Sequence, residues 1–292
     1  MGLMERLAKG EVLVGDGATG TYLQGKGLEV GQAPETWNLS HPEIVRGMAA
    51  DYFAAGSDLV ETNTFGGNAF RLEKAGLEGR VAGLNRTAAK LARSAAPEGG
   101  LVVGCIGPTG EFMAPLGTLT SEAFYEAFAE QARALAEEGV DAFCVETMTA
   151  LDEMTVAIRA VKEATGLPVM ATMTFDAGPR GFATSMGVTI PQAVTGLAEA
   201  GADVVGTNCG NGSEKMVLIA REMGALTSLP ILVQSNAGLP VMEGDRVVYP
   251  EAAEEMAARC GDMVKAGVRI VGGCCGTGPA HIAAIAAAVG RR

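Results

Sequence analysis

A chain of 292 residues that is 48% hydrophobic has the material for one large domain or two modest ones, with a sizeable core. Its net charge of −12 excludes the basic face that nucleic acid requires, and its six cysteines are too sparse for a disulfide scaffold. No apolar run reaches the roughly 18 residues of a membrane span, and residues 1–6 carry neither a secretory apolar core nor, because of Arg6, a myristoylation pattern. A cytoplasmic protein with thiol or metal chemistry is the expectation.

Apolar β-branched runs alternate with alanine-rich amphipathic stretches from end to end. The first strand is expected at 11–15 and runs into Gly15-Asp16-Gly17-Ala18-Thr19-Gly20. That turn matches the dinucleotide pattern G-x-G-x-x-G. A dinucleotide site also needs a full helix straight after the last glycine, and Thr21-Tyr22-Leu23-Gln24-Gly25 stops within about a turn, so a dehydrogenase is the weaker reading. Ser40-His41-Pro42-Glu43 reads as a capping box that opens a helix over 43–55. Strand 58–63, helix 80–96, strand 101–106, helix 121–138, strand 141–145, helix 150–165 and strand 168–174 follow. A second capping box, Thr189-Ile190-Pro191-Gln192, opens helix 190–200. Strand 203–207, helix 213–224, strand 230–235, helix 250–266, strand 269–272 and helix 279–290 complete the chain.

Four of these strands are preceded by a glycine that ends a helix: Gly56 before Ser57-Asp58, Gly139 before Val140-Asp141, Gly201 before Ala202-Asp203 and Gly267 before Val268-Arg269. Eight strand–helix units without a linker-like break predict one α/β domain over 1–292, a single (β/α)₈ TIM barrel. A doubly wound open sheet is the alternative. In the barrel, Asp16, Glu61, Asn63, Glu146, Cys209, Asn236, Cys274 and Cys275 all fall at or just past the C-terminal end of a strand. Barrel enzymes keep their active sites at that end.

Gly272-Gly273-Cys274-Cys275-Gly276 is the most distinctive stretch. Neighbouring residues on a strand face opposite ways, so two adjacent thiolates can share a metal only where the backbone turns sharply, as flanking glycines permit. With Cys209 from Thr207-Asn208-Cys209-Gly210 they supply three thiolates to one zinc ion and leave a fourth position open for catalysis. Buried packing and a vicinal disulfide are the other uses of such a pair. Cys105, Cys144 and Cys260 read as packing cysteines. His281 reads as a helix-surface or capping residue, and Glu61 and Asn63 as pocket liners.

Asp16-Gly17-Ala18-Thr19-Gly20-Thr21, Pro34-Glu35-Thr36-Trp37-Asn38-Leu39, Glu61-Thr62-Asn63-Thr64-Phe65-Gly66, Val145-Glu146-Thr147, Thr207-Asn208-Cys209-Gly210, Asn236-Ala237-Gly238-Leu239-Pro240 and Gly272-Gly273-Cys274-Cys275-Gly276-Thr277 occur in that order. Together they resemble the homocysteine S-methyltransferase family, and most closely the homocysteine-binding domain of its cobalamin-dependent methionine synthase branch. The resemblance implies a Zn²⁺ barrel that activates homocysteine as a thiolate and yields methionine, with Cys209, Cys274 and Cys275 as metal ligands and catalytic residues. It further implies that Asp16 and Glu146 receive the substrate ammonium and that the backbone amides of Gly17, Ala18, Thr19 and Gly20 receive its carboxylate. Asn236 is implied as a residue that approaches the metal when substrate is absent.

A corrinoid-binding D-x-H-x-x-G motif is expected to be missing, because Leu39 precedes His41 and Pro279 precedes His281 at the Asp position. An eight-unit barrel also uses the length of this chain. The methyl donor is therefore expected to be methylcobalamin on a separate corrinoid protein, not bound by this chain alone. A small donor such as S-methylmethionine or a betaine is the alternative, although Phe65 and Thr147 stand where an aromatic cage for a quaternary ammonium would want tyrosines. A non-catalytic zinc- and thiol-binding accessory subunit is the reading from a different class.

Overall fold

The structure, a computed structural model, describes residues 1–179, 181–244 and 246–290. Eight parallel strands form one sheet: β1 (Leu13–Val14), β2 (Leu59–Glu61), β3 (Leu101–Ile106), β4 (Ala142–Met148), β5 (Val169–Met173), β6 (Val204–Gly212), β7 (Ile231–Asn236) and β8 (Val268–Gly273). Each pairs with its sequence neighbour from β2 to β8, and β8 pairs back onto β1 through Leu13 opposite Ile270. Side chains stitch the remaining seam. Asp58 donates its backbone N–H to the Val14 carbonyl at 2.8 Å, and its carboxylate accepts the Val14 N–H at 2.9 Å. The open-sheet alternative is set aside, because an edge-to-edge ring of parallel strands with helices between them is a (β/α)₈ barrel.

The outer helices are α1 (Pro42–Ala54), α2 (Val81–Ala95), α3 (Ser121–Ala136), α4 (Leu151–Thr165), α5 (Ile190–Glu199), α6 (Ser213–Gly224), α7 (Ala253–Lys265) and α8 (Pro279–Ala288). Thr189 and Gln192 make the expected capping box on α5. Ser40 does not cap α1. Residues Trp37–Ser40 already form a helical turn, so the Ser40 hydroxyl is directed back to the Thr36 carbonyl at 3.2 Å and His41 occupies the cap position. The dinucleotide-like turn leads only into the seven-residue helix Thr19–Gly25. Among the described residues no helix is long and apolar enough to cross a membrane.

The barrel interior changes character along its axis. Its lower part holds Leu13, Leu59, Leu101, Val103, Ala142, Cys144, Met170, Val204, Leu232 and Ile270, plugged from below by Leu3 and Leu7 of the N-terminal helix Leu3–Ala8. Further along the strands, on the same inward face, stand Glu61, Cys105, Glu146, Thr172, Asn208 and Gln234. Apolar packing thus gives way to a polar tier at the C-terminal end of the strands.

The lower rim has its own polar pattern. Asp141 accepts the Val102 N–H at 2.7 Å and pairs with Arg93 at 2.5 Å. Asp203 accepts the Val169 N–H and pairs with Lys162, both at 2.7 Å. Asp58 pairs with Arg6 at 2.5 Å. Each aspartate follows a helix-ending glycine with positive φ (Gly56, Gly139, Gly201), the conformation that lets helix turn into strand over so few residues.

Candidate active site

A cavity of about 810 Å³ opens over the upper end of the strands, within the size range of small-molecule sites. Asp16, Gly17, Ala18, Thr19, Glu146, Cys209, Cys274 and Cys275 line it together with Glu61, Asn63, Cys105 and Gln234. The expected site residues, drawn from all parts of the sequence, therefore face one space. Asn236 sits just behind the lining, 4% exposed at the end of β7.

Cys209 lies where the β6–β7 ladder breaks, between Asn208 and Gly212, with φ of 58°. The strand was expected to stop at 207 but continues to Gly212, and the irregularity turns Cys209 toward the cysteine pair. A non-glycine residue held in this region is strained, a cost that tends to collect at functional sites. Thr147, next to Glu146, carries φ of 60° where the β4–β5 ladder also breaks. Cys274 and Cys275 follow β8, and Gly276, at φ of 83°, completes their turn beneath the Tyr249 ring, which leaves no room for a Cβ.

The sulfurs of Cys209, Cys274 and Cys275 lie within 4.8 Å of one another, and Cys209 and Cys275 are 3.9 Å apart. Ligands on a tetrahedral zinc with bonds of about 2.3 Å stand about 3.8 Å apart, so the spacing fits that ion. All six cysteines are free thiols, so the vicinal disulfide is not formed. Hydrogen bonds from Cys274 and Cys275, helped by the Gly210 N–H and the Asn236 side chain, draw the Cys209 thiol down to about 3. Donating to Cys209 pushes Cys275 up to about 11, and Cys274 rises well above the usual thiol range. The Asn236 Oδ1 atom is enclosed without a hydrogen-bond partner beside this group. A sulfur-rich set with an orphaned carbonyl oxygen next to it has the chemistry of a zinc site.

Three carboxyl groups, Asp16, Glu61 and Glu146, face the same cavity. Asp16 is 2% exposed and accepts the Glu61 backbone N–H at 2.8 Å. Burial pushes its carboxyl up to about 7, and the nearby Glu146 charge adds to the rise. Glu146 keeps part of its surface open to the cavity and accepts three donors: the Cys105 thiol at 2.9 Å, the Thr147 hydroxyl at 3.1 Å and the Asn208 amide at 2.6 Å. Glu61 is buried, accepts the Gln234 amide at 3.0 Å and has an oxygen within 4.8 Å of a Glu146 oxygen. Burial raises both glutamates above the ordinary carboxylate range. Among the described residues no lysine, arginine or histidine pairs with any of the three.

The glycine-rich turn is tied to the cysteine loop. The Ala18 N–H donates to the Thr277 hydroxyl at 3.1 Å, and that hydroxyl donates to the Cys274 carbonyl at 2.7 Å. The Ala18 amide is therefore already used within the protein, while Thr19 and Gly20 open a helix whose first N–H groups lack helical acceptors. Cys144 is buried in the lower interior and Cys260 between helix and sheet. Cys105 does more than pack: it lines the cavity and holds Glu146. His281 accepts the Gly278 N–H through Nδ1 at 3.2 Å, which leaves Nε2 as the donor to the Glu251 carbonyl and makes it a cap of α8. Asn208, Gln234 and Thr277 escaped the sequence reading as site residues. Asn208 and Thr277 sit inside quoted motifs, and Gln234 is a polar residue in an apolar strand, which was the one available signal.

The sequence profile of the homocysteine S-methyltransferase family matches residues 13–289. The methionine synthase of Mycobacterium tuberculosis is 34% identical over 95% of this chain, which spans only about a quarter (24%) of that protein's length. Betaine–homocysteine S-methyltransferase 1 of Danio rerio is 32% identical over 98% of this chain and 74% of its own length. The crystal structure of the homocysteine methyltransferase MmuM from Escherichia coli in its metallated form superposes with a TM-score of 0.81, covering 97% of this chain and 98% of that one at 25% identity.

Proposed function

This chain belongs to the homocysteine S-methyltransferase family, and from that premise we propose that it is a zinc-dependent enzyme that methylates the thiol of homocysteine, giving methionine. The observation that carries the reading is the pairing, in one cavity, of three converging thiols with carboxyl groups that have no cation of their own. Cys209, Cys274 and Cys275 are the residues that would hold zinc, and they fit it by spacing and by donor chemistry. When bound there, zinc supplies the charge that keeps the substrate thiol deprotonated at neutral pH.

The protein's own side chains then orient the amino acid. Asp16 and Glu146 receive the ammonium group, and Glu146 is held for that task by Cys105, Thr147 and Asn208. The substrate carboxylate falls to the amides of the Gly17–Gly20 turn other than that of Ala18. Asn236 lies against Cys209, and its unpartnered Oδ1 is the neutral oxygen that would help hold the metal before substrate arrives. With its amino-acid end fixed, the substrate thiolate attacks the donor's methyl carbon in line. A carbon–sulfur bond forms, and the bond from methyl to donor breaks with its electron pair staying on the donor.

The donor we propose is methylcobalamin on a separate corrinoid protein. Two observations support it: the similarity to a methionine synthase, and a cavity in which Phe65 is the one aromatic among the described lining residues. A quaternary ammonium donor would need a cage of several such rings. The similarity to a betaine–homocysteine S-methyltransferase keeps a small donor as the second reading. Zinc-loaded protein assayed with homocysteine and, in turn, methylcobalamin, S-methylmethionine and betaine separates them. Methionine formed from the corrinoid supports the proposal. Turnover with S-methylmethionine and none with methyl-corrinoid replaces it with the small-donor reading. No turnover with any donor, with zinc and homocysteine both bound, favours the accessory-subunit reading.

A further inference from the structure

Glu146 gathers three hydrogen-bond donors. Its Oε1 takes the Cys105 thiol, and its Oε2 takes both the Asn208 amide and the Thr147 hydroxyl. Those contacts favour its carboxylate form. Glu61 stands on β2, with β3 between it and Glu146 on β4, and one of its oxygens lies within 4.8 Å of Cys105 Sγ and of a Glu146 oxygen. One Glu61 oxygen accepts from the Gln234 amide. Two buried carboxylates this close repel each other, and a proton on one of them turns the repulsion into an attraction.

The surroundings decide which one. The groups facing Glu61 are Asp16, Glu146, Gln234 and the thiols of Cys105 and Cys144. Two of these are acidic and none is a cation, and Glu61 is buried at 6% exposure. Glu61 has the fewer donors and the drier position, so the shared proton resides on it.

We propose that Glu61 is a positioning residue, a neutral carboxylic acid whose O–H is donated to the Glu146 carboxylate and keeps that carboxylate turned toward the ammonium group of the substrate. The inference rests on the reading that Glu146 receives the ammonium. The upper barrel thereby presents two negative charges to one cation instead of three, and Glu61 acts through Glu146 without touching the substrate.

The test compares Glu61→Gln with Glu61→Leu in zinc-loaded protein, with the homocysteine dissociation constant read by calorimetry. A glutamine amide donates to Glu146 and accepts from Gln234 as the neutral acid does, so Glu61→Gln should lose no more than about threefold in affinity. Glu61→Leu removes the donor and should lose roughly thirtyfold. Zinc content should stay that of the parent protein in both. The protonated acid also has its own signature: a carboxylic acid C=O stretch in the infrared spectrum at neutral pH, present in the parent protein and missing from Glu61→Gln. Equal losses in the two variants would overturn the proposal and make Glu61 an anion that takes the ammonium directly, as would the absence of that acid band. Glu146→Gln separates the premise from the inference. Unchanged homocysteine affinity in Glu146→Gln defeats the ammonium reading, whatever the Glu61 variants do.

Discussion

Three acidic residues stand at each end of this barrel and live in opposite circumstances. At the lower rim Asp58, Asp141 and Asp203 each accept a backbone N–H from the preceding strand and each face a cation, Arg6, Arg93 or Lys162. At the upper end Asp16, Glu61 and Glu146 are enclosed, and among the described residues no cation pairs with any of them. The lower set is complete, and its work is to join strands. The upper set is incomplete in the sense that matters for binding: buried carboxyls without a counter-charge cost stability until something positive arrives. The cysteines repeat the contrast, with Cys144 and Cys260 packed among apolar side chains while Cys209, Cys274 and Cys275 point at one another.

The largest effect expected from breaking this contrast is on metal content. Replacing Cys209, Cys274 or Cys275 by alanine leaves two thiols at the site, and zinc measured on protein purified under reducing conditions should fall to background, with methyl transfer abolished. Cys260→Ala should keep its zinc and lose only about 1–2 kcal/mol of stability from the vacated volume. A Cys274→Ala variant that retains stoichiometric zinc would remove the basis for treating these cysteines differently from the packed ones.

Next in size is the upper carboxylate itself. Glu146→Gln should weaken homocysteine binding by roughly thirtyfold or more at unchanged zinc content, since a buried charge pair loses one partner. Loss of zinc with unaltered thiol affinity would instead make Glu146 part of the metal site. Lower-rim substitutions should show the reverse pattern. Asp58→Ala leaves the Arg6 charge and the Val14 N–H inside the structure with one partner fewer, and should cost about 3 kcal/mol in denaturant unfolding while homocysteine affinity holds.

The smallest effect is a pH dependence. Asp16 has its folded-state value raised from 3.8 to about 7. A group raised in this way contributes stability that is fully present below its unfolded value and is lost as pH rises through the folded one. Ligand-free protein should therefore lose stability between about pH 4 and pH 8 through this residue. Asp16→Asn should flatten the profile and be more stable than the parent at pH 8, by on the order of 1–2 kcal/mol. A parent protein that gains stability across that interval relative to Asp16→Asn would show that Asp16 has a counter-charge after all.

The order of elements was legible because each unit carries its own local signals. Gly56, Gly139 and Gly201 announce the end of a helix, and the apolar runs after them can only be strands. The job of Asp58, Asp141 and Asp203 was not legible, although the rhythm around them was, because their partners lie on neighbouring strands and helices far away in sequence. Ser40 misled for a related reason: four residues satisfy a capping pattern, but the helical turn Trp37–Ser40 consumes the serine first. The two hairpins over the mouth, Asp176–Gly178 with Gly181–Ala183 and Val241–Glu243 with Arg246–Val248, gave no periodic signal in strands of three residues. Within the site, the motifs placed Cys209, Cys274, Cys275, Asp16 and Glu146 at one end of the barrel. Depth was what the sequence withheld. Cys105 and Cys144 alternate in the same way and pair across β3 and β4, yet one opens onto the cavity and the other does not.

The most direct test of the account is whether the upper end of the barrel demands a cation from its ligand. Zinc-loaded protein titrated calorimetrically with homocysteine and with 4-mercaptobutanoate, the same molecule without its amino group, isolates that demand. The thiol and carboxylate are common to both, so the account predicts that the desamino compound binds at least roughly a hundredfold more weakly, and that Glu146→Gln shrinks the gap. Affinities within about threefold of each other would contradict it, because buried carboxyls that ignore an ammonium group are not an ammonium site.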